Sequence, residues 1–177
     1  ELFELKNINN SAASFNQEKL EWINQSYIKT TSLSFLIEHL SWHLKKLQIE
    51  LDDGPDINEL VEFLRDRANS LVDLAQSCVM FYKDFDDFDE AQANKIFNTN
   101  AKDILKDLEN HLSDIDDWSY ENIHLIIESI CESRGVGFGK VGQPFRLALS
   151  GDGKSGSIDK SAQFVGKKRT LSRLNMA

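Results

Sequence analysis

Apolar positions along this chain recur at the three- and four-residue spacing of a helix face, with no alternating stretch that reads as a strand. Leu20, Ile23 and Tyr27 open the pattern, with Trp22 beside them. Leu33, Leu36, Ile37, Leu40, Leu44, Leu47 and Leu51 continue it as one stripe. DDGPD at 52–56 breaks the stripe, and Asp56 with Glu59 three residues on predicts a capped helix start. Leu60, Phe63, Leu64 and Leu71 form the next face. Leu74, Ala75, Cys78, Val79 and Tyr82 extend it after Ser70.

DFDDFDE at 84–90 is an acidic turn, followed by a short helix holding Ile96 and Phe97. Asn100 is the expected cap of a helix with Ile104, Leu108, Leu112 and Ile115 on one face. Ser119 is the expected cap of another, carrying Ile123, Ile126, Ile127 and Ile130. Gly135 and Gly137 stop that helix. Pro144 is expected in the first turn of a short helix, where its missing N–H costs little. Gly151, Gly153 and Gly156 mark a loop, and two last helices, near 161–165 and 167–175, flank Gly166. The expected class is all-α, without internal repeats.

Composition supports a packed globular chain. Of 177 residues 41% are hydrophobic and 28% charged, with a mean hydropathy of −0.40. No apolar run approaches the roughly 20 residues of a membrane-spanning helix, so no membrane partner is expected. ELFELKNINN does not read as a signal peptide and has no initiator methionine, which points to a segment of a longer, cytoplasmic chain. Cys78 and Cys131 sit among helical apolar residues and read as two reduced thiols.

Charge changes the picture more. The net charge is −9, but it is split along the chain. Residues 1–133 hold 11 Lys and Arg against 27 Asp and Glu, a balance of −16. Residues 134–177 hold nine basic and two acidic residues, a balance of +7. A basic end on an acidic body suits a polyanion. The other reading is a tail that docks on the body itself, and it stays open.

Catalytic and metal chemistry finds little support. His39 and His43 are one turn apart but lack a third ligand nearby, and His111 and His124 stand alone. DFDDFDE lacks the glycine and glutamate of a calcium loop, so Phe85 and Phe88 are expected to turn inward from a solvated turn. Gly137, Gly139 and Gly142 match G-x-G-x-x-G only formally, because a helix precedes them where a dinucleotide fold has a strand. No nucleophile with a base partner stands out. Binding remains. Arg146 is expected in the first turn of the Pro144 helix, with Lys154, Lys167, Lys168 and Arg169 in the loop and helix starts downstream. Helix N-termini and basic side chains hold phosphates, arginine reads base edges, and unpaired RNA bases splay into such pockets.

Three stretches carry a family resemblance. SFNQEKLEWINQSYIK at 14–29 resembles the segment that follows the catalytic core in bacterial glutamyl-tRNA synthetases, with Asn16 where that family has Asp. LRDRANSLVDLAQSCVMFYKDF at 64–85 is similar to the family's Arg-containing helix. GKVGQPFRLALSG at 139–151, then SGSI, then FVGKKRTLSRL at 164–174 resemble its C-terminal signature. The resemblance spans essentially the whole chain. It implies a helical bundle of the anticodon-binding α-helix-cage type, appended to a class I synthetase core. It also implies three parts: residues 1–32 following the core, 33–83 as a first anticodon-binding subdomain, and 84–177 as a second.

The enzyme so implied joins glutamate to tRNA(Glu) with ATP and Mg2+. The His-x-Gly-His and Lys-Met-Ser-Lys-Ser motifs of that chemistry are absent here, so the segment alone is expected to be inactive and to need no cofactor. The implied partner is tRNA(Glu), with tRNA(Gln) left open, no DNA, and a monomeric state. By the same resemblance Arg67 reads the third anticodon base with Arg65 beside it, and Arg146 helps hold the anticodon loop. Ser155, Gly156 and Ile158 occupy a loop that touches anticodon bases, although Gly156 stands where proline is usual and Ser157 where glycine is usual. Lys140, Lys154, Lys168 and Arg169 are the expected contacts to the tRNA backbone. The alternative class is a helical protein–protein docking module with a basic end.

Overall fold

The computed structural model describes residues 14–177, so the reading of ELFELKNINN lies outside the described residues. Among the described residues all regular structure is helical. Helix α1 (Gln17–Thr30) starts where the Asn16 side chain accepts the N–H of Lys19 at 2.9 Å. Asn therefore does the capping work where the resembling family has Asp. Helix α2 (Leu33–Lys46) buries Leu36, Leu40 and Leu44. The apolar stripe does not run on as helix to Leu51. Gln48 takes a left-handed φ of 54°, and the Ile49 N–H bonds back to the Leu44 carbonyl at 3.1 Å. That ending turns Ile49 into the core and leaves Leu51 exposed.

Asp56 caps α3 (Ile57–Leu64), accepting the N–H groups of Asn58 at 2.9 Å and Glu59 at 3.1 Å. Those N–H groups, Glu59's first, hold its carboxyl below the ordinary range. One 3-10 turn, Arg65–Arg67, leads to α4 (Leu71–Tyr82), whose cap Ser70 accepts the Asp73 N–H at 3.1 Å. Helix α5 (Glu90–Ile96) follows the acidic turn, where Phe85 packs edge-on against Phe88, and Phe88 against Phe97. Asn98, not Asn100, caps α6 (Thr99–Asp114), because its Oδ1 reaches the Ala101 N–H at 3.0 Å. Ser119 precedes α7 (Tyr120–Arg134), but its hydroxyl bonds Asp117, and the Tyr120 N–H is taken by Gln163 Oε1 at 2.6 Å.

Helix α8 (Phe138–Ser150) corrects the expectation for Pro144. The helix starts six residues earlier, and the proline sits inside it. Val141 and Gly142 before it and Phe145, Leu147, Ala148 and Leu149 after it are all buried. Their burial outweighs the backbone bond that proline gives up. Arg146 consequently lies deep in the helix and not at a free N-terminus. Gly151, at φ +79°, ends α8. Helices α9 (Ile158–Val165) and α10 (Lys167–Met176) join through Gly166 and close the fold.

One contiguous core runs from Ile28 to Leu174. Helix α6 packs against α7, α8 and α10, α2 against α3 and α4, and α4 against α9. The expected division at 83/84 falls at the C-cap of α4. Part of the basic tail does dock on the body. Arg169 donates to the carbonyls of Phe81 at 2.8 Å and Tyr82 at 3.3 Å, at the C-terminus of α4. Lys167 donates to Ser113 at 2.9 Å and Ile115 at 2.7 Å, at the end of α6. Both place a cation where helix carbonyls lack partners.

Candidate nucleic-acid interface

A groove of about 480 Å³ lies between the exposed face of α4 and the 151–157 loop. Arg67 stands at one side and Ser155, Gly156 and Lys154 at the other. The α4 wall is Asp73, Gln76, Ser77 and Met80, and the end wall is Lys83, Asp84 and Phe85. Arg67 is exposed on the 3-10 turn, and its Nη1 donates to the Ser155 carbonyl at 3.3 Å. No ion pair with Asp66 or Asp73 is formed among the described residues, so the guanidinium keeps donors for another acceptor.

Arg146 reaches the same loop from α8. Its Nε donates to Ser155 Oγ at 3.2 Å and its Nη2 to the Gly156 carbonyl at 3.5 Å. Two arginines far apart in sequence thus meet at one serine. Gly156 is buried, and a Cβ there would stand 2.5 Å from Cζ of Phe63. Phe63 in turn stacks on Phe164 at 5.3 Å between centroids. Absence of a side chain at 156 lets the loop backbone lie flat on that ring. The departure from proline is therefore fitted to Phe63.

Other expected site residues fall elsewhere. Arg65 is 7% exposed. Its Nε and Nη2 donate to the Ile28 carbonyl at 3.0 and 2.6 Å, and Nη2 also to Thr31 at 2.6 Å. Nη1 holds Glu62 at 3.0 Å. That fork fastens the end of α1 and points away from the groove residues. Ile158 is buried in the core. Lys140 is exposed near the start of α8 and does not line the groove. Lys168 and Arg169 border a second, larger cleft of about 890 Å³, whose opposite wall is Asp52, Asp53, Asp56 and Glu59. Carboxylates facing those cations make it a poor phosphate site, whatever its size.

Gln76, Ser77 and Asp73 escaped sequence reasoning. Their signal was the polar i, i+3, i+4 face of α4 on the helix beside Arg67, which reads equally as a solvated surface. The arrangement offers guanidinium, ammonium, amide and hydroxyl donors with three carboxylates, Asp73, Asp84 and Asp152, and its lining holds no nucleophile activated by a base.

Comparisons with known proteins agree with the fold. A family described as anticodon binding domain matches residues 35–177. A glutamate–tRNA ligase of Vesicomyosocius okutanii is 49% identical over 177 residues, all of this chain and 38% of the relative. One from Ruthia magnifica is 47% identical over 176 residues, 99% of this chain and again 38% of the relative. The chain thus spans little more than a third of the length of these relatives. The crystal structure of a glutamate tRNA ligase from Elizabethkingia meningosepticum, in complex with its amino acid, superposes with a TM-score of 0.84 at 26% identity. It matches 98% of this chain and 34% of that one. Glutamate-tRNA synthetase from Elizabethkingia anophelis gives 0.80 at 27% identity, with the same shares of the two chains covered.

Proposed function

The chain belongs to the anticodon-binding domain family, and from that premise we propose that it is the tRNA-recognition part of a glutamate–tRNA ligase. The observation that carries the reading is the convergence of Arg67 and Arg146 on Ser155 beside an open groove. Arg67 reads a base of the splayed anticodon, Arg146 and Ser155 hold the loop, and Lys154 meets its phosphates. Arg65, Ile158 and Arg169 make no such contact, because their polar or apolar groups are already committed inside the fold. Glutamate attachment, with ATP and Mg2+, belongs to the part of the ligase outside this chain. The ligase acts as a cytoplasmic monomer on tRNA(Glu), and Arg67 favours rejection of tRNA(Gln).

The test is Arg67→Ala in the ligase, with affinities measured for tRNA(Glu) and for transcripts altered at each anticodon base. Discrimination at one position is expected to fall by about 1–3 kcal/mol, the scale of a bidentate base contact. Equal loss across all transcripts leaves Arg67 only a phosphate role. No preference for tRNA over a random RNA of equal length would turn the reading towards a protein-docking module.

A further inference from the structure

Helix α10 contains a second arginine whose placement bears on the groove without entering it. Arg173 is 4% exposed. Its Nη1 donates to the Leu149 carbonyl at 2.7 Å, at the end of α8. Its Nη2 meets the carbonyls of Met80 at 2.9 Å and Lys83 at 3.0 Å, and Asp84 Oδ1 at 3.1 Å. The guanidinium also lies 5.0 Å from the centroid of the Phe85 ring. Nε has no partner. Every recorded contact is internal, so the side chain has no face turned to a ligand.

The elements it joins are those that frame the groove. Met80, Lys83, Asp84 and Phe85 line it from the α4 end, and Ser150, next to Leu149, lines it from α8. Leu149 sits three residues after Arg146 on the same helix. Phe85 packs on Gly151, where a Cβ would stand 3.2 Å from its ring, and the Gly151 carbonyl accepts the Asp89 N–H at 2.8 Å. One planar fork therefore sets the distance between the helix carrying Arg146 and the wall ending in Phe85. Lysine cannot do this, because a single ammonium lacks the two diverging nitrogens that reach α8 and α4 together.

We propose that Arg173 is a positioning residue for anticodon recognition, fixing the 80–85 wall of the groove against the end of α8 so that Arg146 and the loop it holds meet RNA in one geometry. This rests on the reading of the groove as the anticodon site. A small displacement of aligned binding groups costs far more than its distance suggests. Selectivity between anticodons should therefore suffer before overall affinity does.

The test compares the full-length ligase with its Arg173→Lys variant, using transcripts of tRNA(Glu) and of single-base anticodon variants at several salt concentrations. Thermal midpoints are recorded beside Kd. Arg134→Met is the comparator: its Nε pairs with Asp107 at 2.6 Å and Nη2 with the Asp103 carbonyl at 3.1 Å, joining α7 to α6 away from the groove. In Arg173→Lys the Kd for tRNA(Glu) is expected to rise about ten-fold and that of the altered transcripts about two-fold or less, with an unchanged salt slope. Arg134→Met should lower the midpoint and leave the ratio of affinities intact. Wild-type discrimination in Arg173→Lys overturns the proposal, and so does a uniform loss with a shallower salt slope, which would mark a direct phosphate contact. If Arg173→Lys does not fold, Asp84→Asn removes the ion pairs of Asp84 with Arg173 and Arg169 and keeps the carbonyl contacts. It should then show a smaller loss of the same ratio, and a wild-type ratio there overturns the proposal. A wild-type ligase without anticodon preference defeats the recognition reading itself, which separates that failure from this one.

Discussion

Arg65 and Arg173 have under a tenth of their surface exposed, and their forks end on backbone carbonyls of neighbouring elements. Arg67 is exposed, Arg146 is half-buried, and both end on a single loop through bonds of 3.2 to 3.5 Å. The same side chain thus does two jobs within two residues of sequence. In the seams it replaces water for carbonyls that helix ends cannot satisfy themselves. At the groove its longer bonds to one small loop leave donors whose acceptors can be exchanged for those of a ligand. Charge counted along the tail could not separate the two uses, because the difference lies in what each fork reaches.

The sharpest way to break this comparison is to remove a seam arginine. Arg65→Met strands the carbonyls of Ile28 and Thr31 and unfastens α1, and about 3–5 kcal/mol of stability should be lost. The denaturant midpoint measures it. Arg67→Met, two residues on, should change stability by less than about 0.5 kcal/mol. Equal losses in the two variants would erase the distinction between seam and groove.

Gly156→Ala comes next. The added Cβ meets Phe63, and that ring is held by Phe164, so the loop must lift at a cost of about 1–3 kcal/mol. Phe63→Leu in the same chain should return part of the loss, read as non-additive midpoints. Lifting the loop also carries Ser155 away from both arginines, so tRNA affinity should fall with stability here, unlike at Arg65.

The helical class, the Asp56 cap and the end of α7 at Gly135 were legible because each is a local pattern. Pro144 was misplaced for the opposite reason. Its position is decided by the burial of Val141 and Phe145 against distant helices, and no window of sequence contains those partners. Residues of the site were partly legible through resemblance, which put Arg65 and Arg67 side by side. Resemblance could not show that one turns into the core and the other out to the groove. That choice follows from a 3-10 turn, which sends adjacent side chains in different directions. Phe63 facing Gly156 was invisible, since neither residue carries the pairing alone.

Ser155→Ala sharpens the comparison from the ligand side. It deletes the acceptor for Arg146 Nε and keeps the carbonyl that holds Arg67. Stability should drop by only about 0.5–1.5 kcal/mol, the net value of one hydrogen bond. Arg146, released from its rest position, should cost selectivity among anticodons more than affinity. A variant that keeps wild-type selectivity would mean that the serine merely parks the arginine in the absence of RNA.

Asp159, where the loop passes into α9, gives the smallest effect and tests where groove ends and seam begins. Burial raises its carboxyl, but donation from the Ser157 hydroxyl, the Lys160 N–H and His124 outweighs it and holds the group below its ordinary value near 3.8. His124 comes from α7, with Nδ1 at 3.0 Å, so this contact belongs to the seam. A carboxyl depressed in the folded state adds stability above its unfolded pKa, and that stability is lost as pH falls through the folded one. Wild-type protein should therefore lose stability on acidification below pH ~4, and Asp159→Asn should lose correspondingly less across the same window. At neutral pH Asp159→Asn should be modestly less stable than wild type and discriminate anticodons equally well. Loss of selectivity in this variant would extend the groove through Ser157 into α9, making the whole loop, and not only its Ser155 end, part of the recognition surface.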